Sequence, residues 1–172
     1  MDDGSVAFQR LATEVEYPVF VVTAAAPPEV AGCLVGFTTQ CSIEPLRMLV
    51  CLSQNNYTWE VAQRSRSLAV HLVRKDQHEL AELFGGVSAK DQADKMDRWS
   101  WTAGPDGVPI LDDCDWFVGK VLSRTVLGDH TGFLLEPTHG DVDAARHGQL
   151  GYGRADDIEA GQPAGVTGRA GS

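Results

Sequence analysis

The sequence lacks any run of about 20 apolar residues, the length that crosses a bilayer, and its opening MDDGS carries acids where a secretory leader carries bases. A cytoplasmic chain with no membrane contact is expected. Basic residues are scarce, 14 against 24 acidic ones for a formal charge of −10, so the attraction that drives nonspecific nucleic-acid binding is missing. Cysteines 33, 41, 51 and 114 form no C-x-x-C pair and no Cys/His spacing suited to zinc, which points to free thiols and no metal. Cys41 is the one to watch, because it falls in a candidate ligand stretch. There is no Gly-rich phosphate loop and no dinucleotide fingerprint with a ribose-reading acid, so nothing selects NADH over NADPH.

What is present suits one domain: 172 residues suffice for a sizeable core, and 43% of them are hydrophobic. Residues 18–25 (PVFVVTAA) are β-branched and aromatic, and PPE at 27–29 breaks the run into a hairpin. Strand pattern returns at 33–43 and 46–52 on either side of Glu44 and Pro45, then at 67–73, 99–101, 116–126 and 129–135. Two helices intervene. One spans 56–65 with Asn56 as N-cap, and the other spans 76–84, with Asp76 three residues before Glu79 and a stop at Gly85 and Gly86. Residues 87–98 read as a polar connection. Most connections are too short for parallel crossovers, which favours a mainly antiparallel sheet closing into a barrel. The domain is placed at 1–143, and 144–172 reads as a Gly-rich tail, partly ordered at best, with Tyr152 as either an anchor or a lid.

Three stretches could carry chemistry. GFTTQCS at 36–42 sets a glycine and several hydroxyl and amide groups inside a strand, which suits the edge of a hydrogen-bonding aromatic ring and equally suits an exposed strand face. SQNNYT at 53–58 follows a strand and opens a helix, so Ser53, Asn55, Asn56 and Thr58 could cradle one phosphate or simply cap the turn. VLGDHTGFLLEP at 126–137 sets Asp129 beside His130, a group able to give or take a proton, although neighbours on a strand point to opposite faces. His71 lies in a strand and needs a partner if buried.

Taken together, VFVVTAA at 19–25, TTQCSIEP at 38–45, LVCLSQNNYTWEVA at 49–62, SLAVHLVRKDQHELAELF at 67–84, GVPIL at 107–111 and GDH at 128–130 resemble the flavin reductase-like family over about Phe8 to Val142. The resemblance implies a mainly β fold with a few helices, an antiparallel split β-barrel that binds FMN, and a homodimer. It implies that Gly36, Phe37, Thr38 and Thr39 line the isoalloxazine. It assigns Ser53, Asn55, Asn56 and Thr58 to the ribityl and phosphate groups, and His130 to the place where reduced nicotinamide docks. The activity so implied is an NAD(P)H-dependent flavin reductase using FMN, with FAD as the other candidate, and supplying reduced flavin to a monooxygenase. Departures stand beside it. Leu34, Val35 and Gly36 replace a common Thr-x-Ser, His71 replaces an asparagine, and the usual tyrosine-rich close is reduced to LGYG at 150–153. Each lost hydroxyl removes a hydrogen bond worth about 0.5–1.5 kcal/mol net. They keep open the alternative of a noncatalytic FMN- or deazaflavin-binding protein.

Overall fold

The computed structural model describes residues 3–86, 92–145 and 148–151. Tyr152 and the tail beyond it lie outside the described residues.

Among the described residues nine strands form, β1 (Phe20–Ala26), β2 (Glu29–Val35), β3 (Thr38–Ile43), β4 (Leu46–Ser53), β5 (Ser67–Leu72), β6 (Trp101–Ala103), β7 (Pro109–Leu111), β8 (Asp115–Val126) and β9 (His130–Asp141). Among the described residues four α-helices accompany them, α1 (Asp3–Glu14), α2 (Tyr57–Ala62), α3 (His78–Gly86) and α4 (Gln92–Asp97). Seven strands join in one sheet, ordered β2-β1-β5-β8-β9-β4-β3, and every pairing is antiparallel. β6 and β7 form a separate antiparallel pair.

The two edge strands of the large sheet, β2 and β3, follow each other in the chain with only Gly36 and Phe37 between them. In a flat sheet six inter-strand spacings of about 4.8 Å would hold them roughly 29 Å apart. The three peptide units from Val35 to Thr38 span at most about 11 Å. The sheet therefore has to curl to bring its edges together, and the β3–β4 ladder runs on into the bridge, where the amide of Cys51 donates to Phe37 O at 2.9 Å. The run 33–43, expected as a single strand, is thus two strands that pair with different partners. Gly36 marks the change of sheet edge.

Inside the curl, Val22, Ala24 and Ala26 of β1 meet Val35, Val50, Leu52, Val70, Phe133 and Leu135, with Val61 and Ala62 of α2 closing one end. On the outer face Val19 and Val21 pack with Leu80, Leu83 and Phe84 of α3, Met96 and Leu111. β1 is covered on both faces, which is why FVVTAAA reads as an unbroken apolar run. Leu150, in the compositionally distinct tail, is 3% exposed within the outer cluster. Its amide donates to Val73 O at 2.8 Å and its carbonyl accepts from Val19 at 3.3 Å, so the body reaches to at least Gly151. Two helices escaped the pattern. α1 buries no residue and leaves Phe8 and Leu11 about 70% exposed, so it has no packed face to announce it; α4 is six residues long in a polar stretch. Among the described residues no helix is long and apolar enough to cross a membrane.

His71 is fully buried between β1 and β7. Its Nδ1–H donates to Val21 O at 3.0 Å and its Nε2 accepts from the Leu111 amide at 3.1 Å, so both nitrogens are satisfied in the neutral ring. Together with Thr23, whose hydroxyl donates to Pro109 O at 2.6 Å, it ties β7 to the sheet. Burial pushes its pKa down to about 4. Above pH 6.5 the ring is neutral folded or unfolded; between about 6.5 and about 4 only the unfolded chain takes up the proton, and stability falls with pH. This one group should remove about 2 kcal/mol between pH 7 and pH 5. Urea unfolding at the two pH values, with an NMR titration showing the His71 ring still neutral at pH 5, checks the expectation; a ring protonated near pH 6.5 would refute it.

Candidate functional site

Where the sheet edges meet, a cavity of about 220 Å³ opens. One wall is the end of β2 and the junction after it, from Cys33 to Phe37; the other is Cys51, Leu52 and Ser53 of β4, with Asn56 ahead of α2 and His130 at the head of β9. The register dictates this convergence, because Ser53 sits opposite His130 in the β4–β9 ladder. Five of the residues singled out in the sequence, Gly36, Phe37, Ser53, Asn56 and His130, therefore come together from four segments of the chain.

The imidazole of His130 lies 5.2 Å, centroid to centroid, from the Phe37 ring at a tilt of 56°, within the range of favourable aromatic pairs. Its Nδ1 is 2.7 Å from Asp129 Oδ1. Neighbours on a strand would diverge, but β9 begins at His130, and Asp129 occupies the turn before it, where its carboxylate folds back onto the ring. Gly128 makes that turn possible with φ of 93°, in the region that a side chain disfavours. An ionised carboxylate only accepts hydrogen bonds, so the proton sits on Nδ1 and Nε2 is left for a ligand.

Gln54 fastens this turn to the loop before α2. Its amide donates to Asp129 O at 3.0 Å and its Nε2 donates to Gly128 O at 3.1 Å. Gln54 was not singled out in the sequence, since a lone glutamine in a polar loop carries no signal.

The loop 53–58 is largely self-satisfied. The Asn55 amide donates to Ser53 Oγ at 3.4 Å, the Asn56 amide to Ser53 O at 3.0 Å, and the Thr58 amide to Asn56 Oδ1 at 2.9 Å. Asn56 is thus the N-cap of α2, as its place before the helix suggests. Thr58 is fully buried, and its Oγ1 has no hydrogen-bond partner among the described residues. Asn55 is half-buried and outside the cavity lining, as is Thr39, which is exposed with its hydroxyl on Gln40 O at 3.1 Å. Thr38 Oγ1 is buried with no partner, beside Phe37. α2 itself is braced by Tyr57, whose hydroxyl donates to Glu29 Oε1 at 2.8 Å, and by Arg64, 2.6 Å from Glu29 Oε2. Those two partners, Tyr57 first, hold the Glu29 carboxyl below its ordinary range.

The thiols at the cavity are Cys33 and Cys51, whereas Cys41 is exposed at a bulge in β3. Burial pushes Cys33 up to about 11 and raises Cys51 as well. Both stay protonated at neutral pH, and nucleophilic sulfur chemistry has no reagent here. Among the described residues no group of three or more His, Cys, Asp or Glu side chains is placed to hold a metal ion.

A sheet curled onto its own edges, with an aromatic, an imidazole and amide groups at the seam, is the frame of a cofactor-binding β protein. The chain belongs to the flavin reductase like domain family, whose sequence profile matches residues 12–158. It is similar to the FMN reductase (NADH) RutF of Pseudomonas syringae pv. syringae (strain B728a), 27% identical over 138 residues that cover 77% of this chain and 74% of that one. It is also similar to the 4-hydroxyphenylacetate 3-monooxygenase reductase component of Klebsiella oxytoca, 22% identical over 90% of this chain and 91% of that one. The Rhizobium meliloti (strain 1021) protein named "Probable flavin reductase" is 28% identical over 114 residues, and the match spans 63% of this chain but only 35% of that longer one. In structure the chain resembles the Streptomyces globisporus C-1027 NADH:FAD oxidoreductase SgcE6, with a TM-score of 0.75 at 22% identity, covering 86% of this chain and 89% of that one.

Removing the cap tests the local architecture. Asn56→Ala should lower stability by about 1 kcal/mol in urea unfolding, and Asn56→Asp, which keeps the acceptor, should lose much less. Equal losses in the two variants would show that the cap bond is not what holds the loop.

Proposed function

We propose that this chain is an NAD(P)H-dependent flavin reductase that takes FMN, or FAD, in the cavity at the sheet junction. The observation that carries the reading is the convergence of Phe37, Ser53, Asn56 and His130 on one cavity in a member of this family. The relatives' names point the same way, toward flavin, NADH and a role as a monooxygenase's reductase component.

The residues present fit such a cofactor. The walls contributed by Leu34, Val35 and Leu52 are apolar, as the faces of a planar heterocycle require, and Ser53, Asn56 and His130 supply polar groups to the lining. The unpartnered Thr38 hydroxyl is the kind of group that a ring edge rich in acceptors and donors would satisfy. Gly36, Phe37, Thr38 and Thr39 would flank the ring; Ser53, Asn55 and Asn56 would meet the ribityl and phosphate end. Thr58 would serve from below, through the helix it packs, because its side chain is fully buried and its amide is engaged. Since most amides of the loop are already committed, side chains and not the short helix end would carry the phosphate contacts. The flavin, when bound, supplies hydride acceptance from reduced nicotinamide. His130 would present Nε2 to the incoming nicotinamide while Asp129 fixes the ring's tautomer and plane, and Phe37 limits its rotation. The protein's part is alignment and exclusion of water.

A volume of about 220 Å³ is below the roughly 300 Å³ at which small-molecule sites begin, so one chain offers part of a groove. Exposed Phe37, Ile43 and Leu46 on one side and Leu122, Val126 and Leu127 on the other leave apolar surface for a second copy. A homodimeric split barrel that completes the groove is the assembly proposed.

NADH or NADPH oxidation should depend on added FMN or FAD and fall about 10- to 100-fold in His130→Ala, with light scattering giving twice the chain mass. A purified protein that holds a visible-absorbing ligand but consumes no nicotinamide with any flavin would instead establish the noncatalytic binder, for which the apolar Leu34 and Val35 in place of hydroxyls are the motive.

A further inference from the structure

A second cavity, of about 570 Å³, lies where residues 65–67 meet the β8–β9 ladder, and it shares no lining residue with the junction cavity. Arg66, Lys120 and Arg124 line it together with His139, Ser67 and Asp106. Three cations thus face one carboxylate on a chain whose formal charge is −10.

We propose that this cavity is a binding site for a phosphate ester bearing sugar hydroxyls, of nucleoside-monophosphate size. The cationic lining selects an anion, and the volume sits inside the roughly 300–1,000 Å³ range of small-molecule sites, well beyond what a bare phosphate fills. The three cations are not equivalent. Arg124 is fixed, because its Nη2 donates to Ser65 O at 2.6 Å and Ala62 O at 3.2 Å while the guanidinium lies 5.6 Å over the Phe133 ring. Neither Arg66 nor Lys120 has a side-chain hydrogen bond or ion pair among the described residues, so both can turn their donors onto a ligand. The backbone brings them together, since the Val121 amide donates to Arg66 O at 2.9 Å and Lys120 pairs with Ser67. Charge-assisted bonds to phosphate oxygens are the strong ones, and two mobile donors beside one anchored guanidinium can follow a tetrahedral group.

Asp106 selects the other half of the ligand. It is held by the Ser67 hydroxyl, which donates to its Oδ2 at 2.6 Å, and by a left-handed backbone with φ of 55° just before Gly107. Its other oxygen can accept from a hydroxyl, which a free phosphate at neutral pH serves poorly and a sugar serves well. Because Arg124 closes the C-terminal end of α2 while Asn56 caps its start at the junction cavity, an occupant here would bear on the helix that borders both sites.

The test is an amide NMR titration of the whole chain at low salt with adenosine monophosphate, inorganic phosphate and adenosine. Saturable shifts at residues 65–67, 106, 120 and 124 with the monophosphate, weaker ones with phosphate and none with adenosine would support the site. So would a loss of affinity of about tenfold or more in the Arg66→Gln/Lys120→Gln double variant. Both side chains are exposed and unbonded, and an unchanged flavin titration of the double variant would show it folded; Lys120→Gln alone, with a smaller loss, is the second variant. No saturable shift at these residues up to about 10 mM ligand, equal affinity in the variants, or shifts confined to the junction cavity would overturn the proposal.

Discussion

Two residues, Gly36 and Phe37, bridge the two edges of a seven-stranded sheet, and much else follows from the shortness of that bridge. A longer connection would let β2 and β3 stay apart and the sheet lie open. Held by so few bonds, the edges must close on each other, and the strand ends nearest the bridge converge. The junction cavity lies at that convergence and not at the end of a row of parallel strands. The bridge also supplies one of its walls, because Phe37, denied a core position, is half exposed and meets the His130 ring. Fold closure and site construction are here one event.

The polarity of the cavity is organised by commitments made elsewhere. Carbonyls and side chains of the loop before α2 consume most of the amides that a phosphate would otherwise claim, and Asp129 consumes one nitrogen of His130. What remains for a ligand is a short set of side-chain groups of fixed orientation, against walls that are mostly aliphatic. Such a lining discriminates by shape and edge chemistry. Its two thiols are held protonated and its imidazole is placed for alignment, in keeping with chemistry that resides in a bound cofactor.

The strand pattern and the Asn56 cap were legible because they are local. Short apolar runs bounded by breaks announced β4 and β5, and a capping asparagine ahead of a helix is a property of a few consecutive residues. The site was legible only in parts. Gly36, Phe37, Ser53, Asn56 and His130 carry polar, aromatic or glycine signals out of keeping with a core strand. Leu34, Val35 and Leu52, which complete the lining, look like any strand residue. The split of 33–43 was hidden, since β-propensity runs through Gly36 and Phe37 while the change of pairing partner is a long-range fact. The Asp129–His130 bond was hidden for a related reason: the pleat forbids it within a strand, and only the placement of the turn permits it. His71 shows the opposite case, where burial and two distant partners make a strand histidine the tie between two sheets.

Gln54 ties together two segments of one cavity wall, engaging Gly128 O and Asp129 O. The loop that ends in the helix cap and the turn that carries the imidazole are therefore clasped into a single rigid piece of machinery. A displacement of either at the mouth carries the other with it, so the spacing between helix cap and imidazole is preserved.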